Sequence, residues 1–344
     1  MSAVNRTWVV SGGFGFENLT LTERPLGEPM LGQVRVRVRA LSLNYRDLLI
    51  TQGQYDPRMA LPRVPLSDAA GEIDALGEGT SRFRLGDRVC PIFAPGWLGG
   101  EPPVDVLSHA LGHRAEGVAC EYVLIRESDL VAIPAAFSFE QAATLPCAGV
   151  TAWHALMTGP GAIRPGDVVV VQGTGGVSIY ALQLARLAGA RVIATSGDDE
   201  KLARACALGA EYGINYRTTP QWSKAVRMHT GGRGADHVIE VGGAGTLSES
   251  LAAVRPCGRI SVIGILSGRQ GALDLSAILM RGVTLQGIFV GSRADFEDLN
   301  RAVSAGGLEP VIDRVFDFAA LPEAMAHMAS GRHFGKVVLR VGEQ

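Results

Sequence analysis

The sequence predicts an α/β protein: a doubly wound parallel sheet inserted into a β-rich domain. Three observations predict it. At 344 residues the chain exceeds what one compact core usually fills, so two domains are expected. Roughly the first 130 residues read as short strands with turn punctuation and few helical patterns. Beyond Ser138 strands of about four to six apolar residues alternate with amphipathic helices, the rhythm of βαβ units.

Val34, Val36 and Val38 alternate with Arg35, Arg37 and Arg39, which makes a half-buried strand with one wet face. Further strands are expected at 71–73, 86–93 and 120–125, and the Pro- and Gly-rich stretch 91–103 reads as a surface loop. In the second region strands are expected at 168–171, 191–195, 236–241, 259–263 and 284–289, with a short sixth at 213–215. Val177, Ala181, Leu184, Ala185 and Ala188 share one helical face. A helix near 296–305 and a strand at 336–341 follow, in a mixed segment expected to complete the first domain. No internal repeat or low-complexity tract interrupts the pattern.

Composition narrows the function classes. Hydrophobic content of 47% with 19% charged residues favours a packed soluble protein over a disordered one. Net charge is −2 and the 32 basic residues are dispersed, so no cationic track for nucleic acid is expected. No apolar run approaches the roughly 20 residues that span a bilayer, and residues 1–8 lack the order of a signal peptide. Five dispersed cysteines argue against a disulfide framework and for a reducing cytoplasm.

The strongest motif is Gly173-Thr174-Gly175-Gly176-Val177-Ser178, between an all-valine strand and a helix. That is the context of a Rossmann phosphate turn. The first glycine permits a tight turn, the second admits the pyrophosphate, and the helix N-terminus offers free N–H groups. Ser178 takes the third glycine's place and is small enough to keep helix and sheet close. A nicotinamide dinucleotide is therefore expected. About 20 residues on, NAD enzymes place an acid on the ribose. Here the strand ends Thr195-Ser196-Gly197, leaving room for a 2′-phosphate, with Lys201 and Tyr216 as partners. Asp198 and Asp199 follow and could repel it, or serve as helix-dipole partners. NADP(H) is favoured over NAD(H).

With these residues in view the chain resembles the medium-chain dehydrogenase/reductase superfamily over essentially its full length. It is most similar to the zinc-independent, quinone-oxidoreductase-like branch of alcohol dehydrogenase homologues. Besides the phosphate turn, the likeness is carried by Leu43-Asn44-Tyr45-Arg46-Asp47, Pro65-Leu66-Ser67-Asp68-Ala69-Ala70-Gly71-Glu72, Leu145-Pro146-Cys147-Ala148-Gly149-Val150-Thr151-Ala152-Trp153, Ile214-Asn215-Tyr216-Arg217 and His333-Phe334-Gly335-Lys336-Val337-Val338. The resemblance implies a GroES-like catalytic domain, residues 1–148 and 290–344, around a Rossmann domain, residues 149–289. It also implies a homodimer formed through the strand at 284–289.

Departures from the family pattern bear on the chemistry. Zinc-dependent members carry a Cys at or near the place of Tyr45 and Gly-His-Glu in place of Leu66-Ser67-Asp68; only Cys147 is kept. One thiol plus Asp68 falls short of the three protein ligands of a catalytic zinc, so none is expected, and Cys147 reads as a small buried residue. The close cysteines of a structural zinc loop are missing too. A rival pattern, His109, His113 and Glu116, is broken by Gly112 and Gly117 and reads as loop polarity.

Without a Lewis acid, quinones and enones are the easier hydride acceptors, because they spread the charge that arrives. By resemblance Asn44 hydrogen-bonds near the nicotinamide ribose, with a turn role as the competing reading. Tyr55 stands where related reductases place an active-site tyrosine, against a buried structural phenol. Asp68 either orients the site or is a satisfied structural carboxylate, and Asp47 ties its helix to a neighbour. Thr151, Val241, Gly242, Ile263, Phe289, Val290, Arg293, Phe334 and Lys336 are further expected cofactor contacts, Lys336 with a solvated charge as its alternative. The leading expectation is an NAD(P)H-dependent, zinc-independent oxidoreductase acting on a small quinone, enone or related carbonyl. A zinc-independent alcohol/aldehyde dehydrogenase and a catalytically silent NADPH-binding sensor or structural protein are the alternatives. Loops at 52–61, 94–110 and 266–280 are expected to shape the substrate pocket.

Overall fold

The computed structural model describes residues 4–159 and 161–342. The chain forms two compact units, Met1–Val150 with Gly291–Gln344, and Thr151–Val290.

In the first unit β1 (Val4–Val10) and β2 (Leu19–Pro25) pair antiparallel. The larger sheet begins with β3 (Gln33–Ser42), β4 (Asp68–Leu76), β5 (Arg88–Pro91), β6 (Tyr122–Arg126) and β7 (Leu130–Ala132). Val34, Val36 and Val38 of β3 are buried and Arg37 is exposed, as the alternation predicts. The wet face is organised by charge, Arg35 Nε donating to Asp74 at 2.9 Å and Arg39 Nε to Glu72 at 3.0 Å.

The second unit is one parallel sheet: β8 (Val168–Gln172), β9 (Arg191–Ser196), β10 (Tyr212–Asn215), β11 (Ala235–Glu240), β12 (Val254–Val262) and β13 (Thr284–Gly287). The order β10-β9-β8-β11-β12-β13 reverses between β8 and β11, which opens the crevice where doubly wound folds bind ligands. Helices Gly176–Leu187, Asp199–Ala207, Trp222–His229 and Leu247–Ala253 connect the strands. Every residue of β8 and β11 is buried, because helices cover both faces of a parallel sheet.

Two further strands return to the first unit. β14 (Ile312–Asp317) and β15 (Lys336–Arg340) extend its sheet in the order β14-β15-β3-β4-β5-β7, with β6 also on β3. The region includes helices Arg293–Gly306 and Leu321–Ala329. The sequence pattern does not announce β14, an edge strand without buried residues that among the described residues pairs only with β15. It also starts β12 too late, since the β11–β12 register shifts around Pro256-Cys257-Gly258 and hides the first half of the strand. The helix expected at 296 begins at Arg293, because Ser292 and Asp295 cap it reciprocally. Among the described residues no helix is long and apolar enough to cross a membrane.

Asp236 ties the β8–β11–β12 region together. It accepts from Arg233 at 2.6 and 2.7 Å, from Arg255 Nε at 2.6 Å and from Val168 N at 2.9 Å. Burial pushes its carboxyl up, but these donors outweigh it and hold the group at about 2, against 3.8 ordinarily. A depressed folded-state value means stability that is present above pH 4 and lost as the carboxylate protonates below it. Asp236→Asn is therefore expected to cost about 1–2 kcal/mol in denaturant unfolding at pH 7, with the deficit shrinking below pH 4. A deficit constant with pH would show that the charge of Asp236 is not what stabilises.

Candidate active site and dinucleotide site

The phosphate turn sits at the C-terminal end of β8. Gly173 has φ of +69°, a left-handed conformation that glycine enters freely, and its N–H donates to Thr195 O at 2.7 Å. Thr174 is buried, Gly175 is the N-cap, and Gly176 and Val177 form the first turn of helix Gly176–Leu187. A Cβ at Gly173 or Gly175 would meet nothing within 4 Å, so open space lies over the turn. Among the described residues no side chain caps this twelve-residue helix, which leaves its amide donors and positive dipole end to an anion. Ser178 Oγ donates to Gln172 O at 2.6 Å, so the residue in the third glycine's place also pins helix to strand.

At the end of β9, Ser196 is buried and its Oγ accepts from Asp198 N at 3.2 Å. Asp198 caps the next helix by accepting from Lys201 N at 3.0 Å, so that acid is occupied as a cap. Tyr216 N donates to Ser196 O at 3.0 Å, which brings the end of β10 alongside. A Cβ at Gly197 would lie 2.8 Å from both Tyr216 Oη and Arg217 Nε. Only glycine leaves this floor clear beneath a phenol and a guanidinium. Arg217 was absent from the expected contacts, although it lies in the Ile214–Arg217 motif.

Glu240, the last residue of β11, is fully buried. Its carboxylate accepts from Gln172 Nε2 at 2.8 Å, Thr246 Oγ1 at 2.6 Å, Gly242 N at 2.8 Å, Gly243 N at 2.9 Å and Ser250 Oγ. Gln172 Oε1 in turn accepts from Val241 N at 3.3 Å and Gly242 N at 3.2 Å. The network fixes the expected contact residues Val241 and Gly242 against the end of β8. Ile263 follows β12 and donates to Glu240 O at 2.8 Å. Phe289 and Val290 follow β13, and Val290 holds φ of +49°, strained for a β-branched residue. Thr151 is buried at the start of helix Val150–Met157. Glu240 escaped the sequence reading, although an acid inside the apolar run 238–241 was the available signal.

In the first unit three of the expected residues meet. Lys336 opens β15 and is 3% exposed, so the solvated-charge alternative fails. Its Nζ donates to Leu43 O at 2.7 Å and Asn44 Oδ1 at 2.5 Å, and lies 3.9 Å from Asp68 Oδ2. Asp68 also accepts from Ser67 Oγ at 2.7 Å and Cys147 N at 3.1 Å. Because Lys336 claims the oxygen of the Asn44 amide, its NH₂ is turned away, 3.5 Å from Ser67 Oγ. Asn44 also opens helix Tyr45–Thr51, its N–H donating to Asp47 at 2.8 Å. Leu66, just before Ser67, is held at φ of +69° with its side chain buried.

Tyr55 contacts a different set. Its ring meets His113 edge-on at 5.1 Å, with the Arg46 guanidinium 5.5 Å from its centroid. His113 is 6% exposed, which corrects the reading of that residue as loop polarity; burial, with Arg46 nearby, depresses its pKa. Arg293 donates to Ser128 O at 2.8 Å, and Phe334 is buried with its N–H donating to Asp313 at 3.0 Å. Both are thus anchored inside the first unit.

A family zinc would need a donor set that these side chains do not fit. Asn44 and Ser67 bring an amide and a hydroxyl, and the Lys336 ammonium would repel a second cation. Burial and the nearby Asp68 push the Cys147 thiol well up, disfavouring the thiolate that a metal requires. Among the described residues no group of three His, Cys, Asp or Glu could hold a metal ion. Removing Lys336 as Lys336→Met would leave Asp68 buried without its cation and is expected to cost about 3–5 kcal/mol in denaturant unfolding. Adding Asp68→Asn to Lys336→Met should recover part of that loss; strictly additive losses would separate the two residues energetically.

Both units match known proteins. Residues 31–135 match the alcohol dehydrogenase GroES-like domain and residues 176–305 the zinc-binding dehydrogenase family. A zinc-type alcohol dehydrogenase-like protein of Schizosaccharomyces pombe is 43% identical over 333 residues, 95% of this chain and 96% of that protein. An acryloyl-coenzyme A reductase of Sulfurisphaera tokodaii is 30% identical, covering 93% of this chain and 96% of its own. A crystal structure of an NAD-dependent alcohol dehydrogenase superposes with a TM-score of 0.89 at 37% identity, covering 98% of this chain and all of the other. The GroES-like and Rossmann parts, their order and these relatives lead to one assignment: the chain is an alcohol dehydrogenase-like oxidoreductase of the medium-chain dehydrogenase/reductase superfamily.

Proposed function

We propose that this oxidoreductase prefers NADPH, works without zinc and delivers hydride to a conjugated acceptor: a quinone, an enone or a related carbonyl compound. The observation that carries the reading is the Lys336 ammonium seated on Leu43 O and Asn44 Oδ1, a fixed cation beside the carboxylate that a metal would otherwise use. Bound NADPH supplies the hydride. Lys336 holds Asn44 by its amide oxygen, which leaves the NH₂ on the Ser67 side, and Asp68 holds the Ser67 hydroxyl. Tyr55 is assigned the proton donor to the substrate oxygen, with the Arg46 guanidinium 5.5 Å from its ring centroid. An acceptor whose conjugation spreads the incoming charge needs no Lewis acid. The acryloyl-coenzyme A reductase among the relatives, named for reduction of a conjugated thioester, supports the same class.

Preference for NADPH rests on Gly197 lying beneath Tyr216 and Arg217, with Lys201 on the following helix and Asp198 engaged as a cap. Gly173 to Val177, Val241, Gly242, Ile263, Phe289 and Val290 are assigned to the dinucleotide on the second unit. Thr151, Arg293 and Phe334 are assigned supporting contacts. The exposed edge strand β13, preceded by the exposed Leu279 and Met280, supports a homodimer formed along it. A zinc-free alcohol dehydrogenase is the second reading, favoured by the names of the yeast relative and the superposed structure; assays with alcohols and NADP⁺ discriminate.

The primary test is NADPH oxidation against quinones, enones, aldehydes and ketones, with metal content measured on the same sample. Turnover of conjugated acceptors at substoichiometric zinc is expected; stoichiometric zinc with turnover confined to simple carbonyls would overturn the proposal. Arg217→Ala should weaken NADPH binding about tenfold and leave NADH unchanged, as paired fluorescence titrations would read; equal losses would remove the phosphate role. Tyr55→Phe should lower turnover at least tenfold with NADPH binding intact. Unchanged turnover would take Tyr55 out of the mechanism.

A further inference from the structure

Next to Tyr55 the first unit carries a pocket of about 240 Å³ lined by Asp56, Arg58, Met59, Ala60, Arg63 and Arg114. Three guanidiniums thus share one small space, and their opposing carboxylates are already engaged. Asp56 accepts from Arg58 N at 3.1 Å, and its other oxygen stands 3.4 Å from His113 Nε2 and 3.7 Å from Arg114. Glu116 accepts from Val64 N at 3.1 Å and lies 3.5 Å from Arg63 and 3.9 Å from Arg24. Four arginines therefore face two carboxylates, leaving a surplus of two positive charges.

The guanidiniums of Arg58, Arg63 and Arg114 donate no hydrogen bond to any described residue, and Arg63 Nε is buried without a partner. Each guanidinium carries five donors in a planar fork, so the pocket offers many unused N–H groups. A phosphomonoester matches this lining in charge, nearly −2 at neutral pH, and in its three acceptor oxygens. The wall continues into the residues around the proton donor, since Asp56 follows Tyr55 and His113 touches both.

We propose that this pocket is an anion site for a phosphomonoester group, through which the enzyme selects acceptors that carry a phosphate. The inference rests on the reading of the chain as a reductase of conjugated acceptors and adds the substrate's charge to it. Two sources share this chemistry: a short phosphorylated enone, and the 3′-phosphate of a coenzyme A thioester.

The test uses the full-length protein saturated with NADP⁺, so that the dinucleotide site is filled. Inorganic phosphate is titrated by ³¹P NMR against the wild type and Arg58→Gln/Arg114→Gln. Binding that weakens at least tenfold in the variant is expected; equal binding overturns the proposal. KM is then compared for a phosphorylated enone and its dephosphorylated form, and for acryloyl-coenzyme A with and without its 3′-phosphate. At least a tenfold rise in KM for the member of one pair that carries the phosphomonoester, with its dephosphorylated partner and kcat unmoved, supports the site and names the source. Equal rises for both members overturn it, as does a variant that loses turnover of the neutral enone; Arg58→Glu alone, read the same way, guards against misfolding. If no enone or thioester is reduced while phosphate binding is still lost in the variant, the reductase reading fails and the anion site stands.

Discussion

A single buried ammonium organises the first unit. Removing Lys336 from water costs several kcal/mol unless partners repay it. The repayment comes from Leu43 O, Asn44 Oδ1 and the nearby Asp68 carboxylate, contributed by the end of β3, the cap of helix Tyr45–Thr51 and the start of β4. Those segments cannot shift independently without stranding a charge. The interaction that closes the sheet thus also sets the direction of an amide in the proposed active site.

The second unit reaches the same end with the opposite sign. Glu240 is a buried anion satisfied by two backbone N–H groups and by side chains from β8 and the region of helix Leu247–Ala253. Through Gln172 and Ser178 its hydrogen bonds run on to the helix that follows the phosphate turn. The glycine loop after β11 and the glycine turn after β8 are therefore held in register by one carboxylate. Loops rich in glycine are entropically costly to order, and a buried charge that needs their N–H groups supplies the order.

What was legible in the sequence follows from the range of each interaction. The turn at Gly173 could be read because its demand is local and steric. The strands β8, β9 and β11 could be read because burial on both faces forces unbroken apolar runs. Lys336 was visible as a motif residue, but its burial was not, since Leu43 and Asn44 lie 293 and 292 positions away. β14 carries Asp313, Arg314 and Asp317 on the edge of its sheet and buries no residue fully, so no periodicity announces it. His113 looks like any loop histidine until Tyr55 packs against it, and Arg217 means little until Gly197 is placed beneath it.

The pairing of β15 with β3 has a consequence for how the chain is made. All six strands of the second unit are synthesised before Lys336, so that unit holds every strand of its sheet while the first still lacks two. The central strand β3 must wait 293 residues for the lysine that satisfies Leu43 O, on the order of 15–60 s at 5–20 residues per second on the ribosome. Throughout that interval β4 and β6 pair with β3, and only its Ala40–Ser42 end lacks a partner on one edge. Closure of the first unit's sheet at Ala40–Ser42 is thus among the last steps of synthesis, after every strand of the second unit has been made.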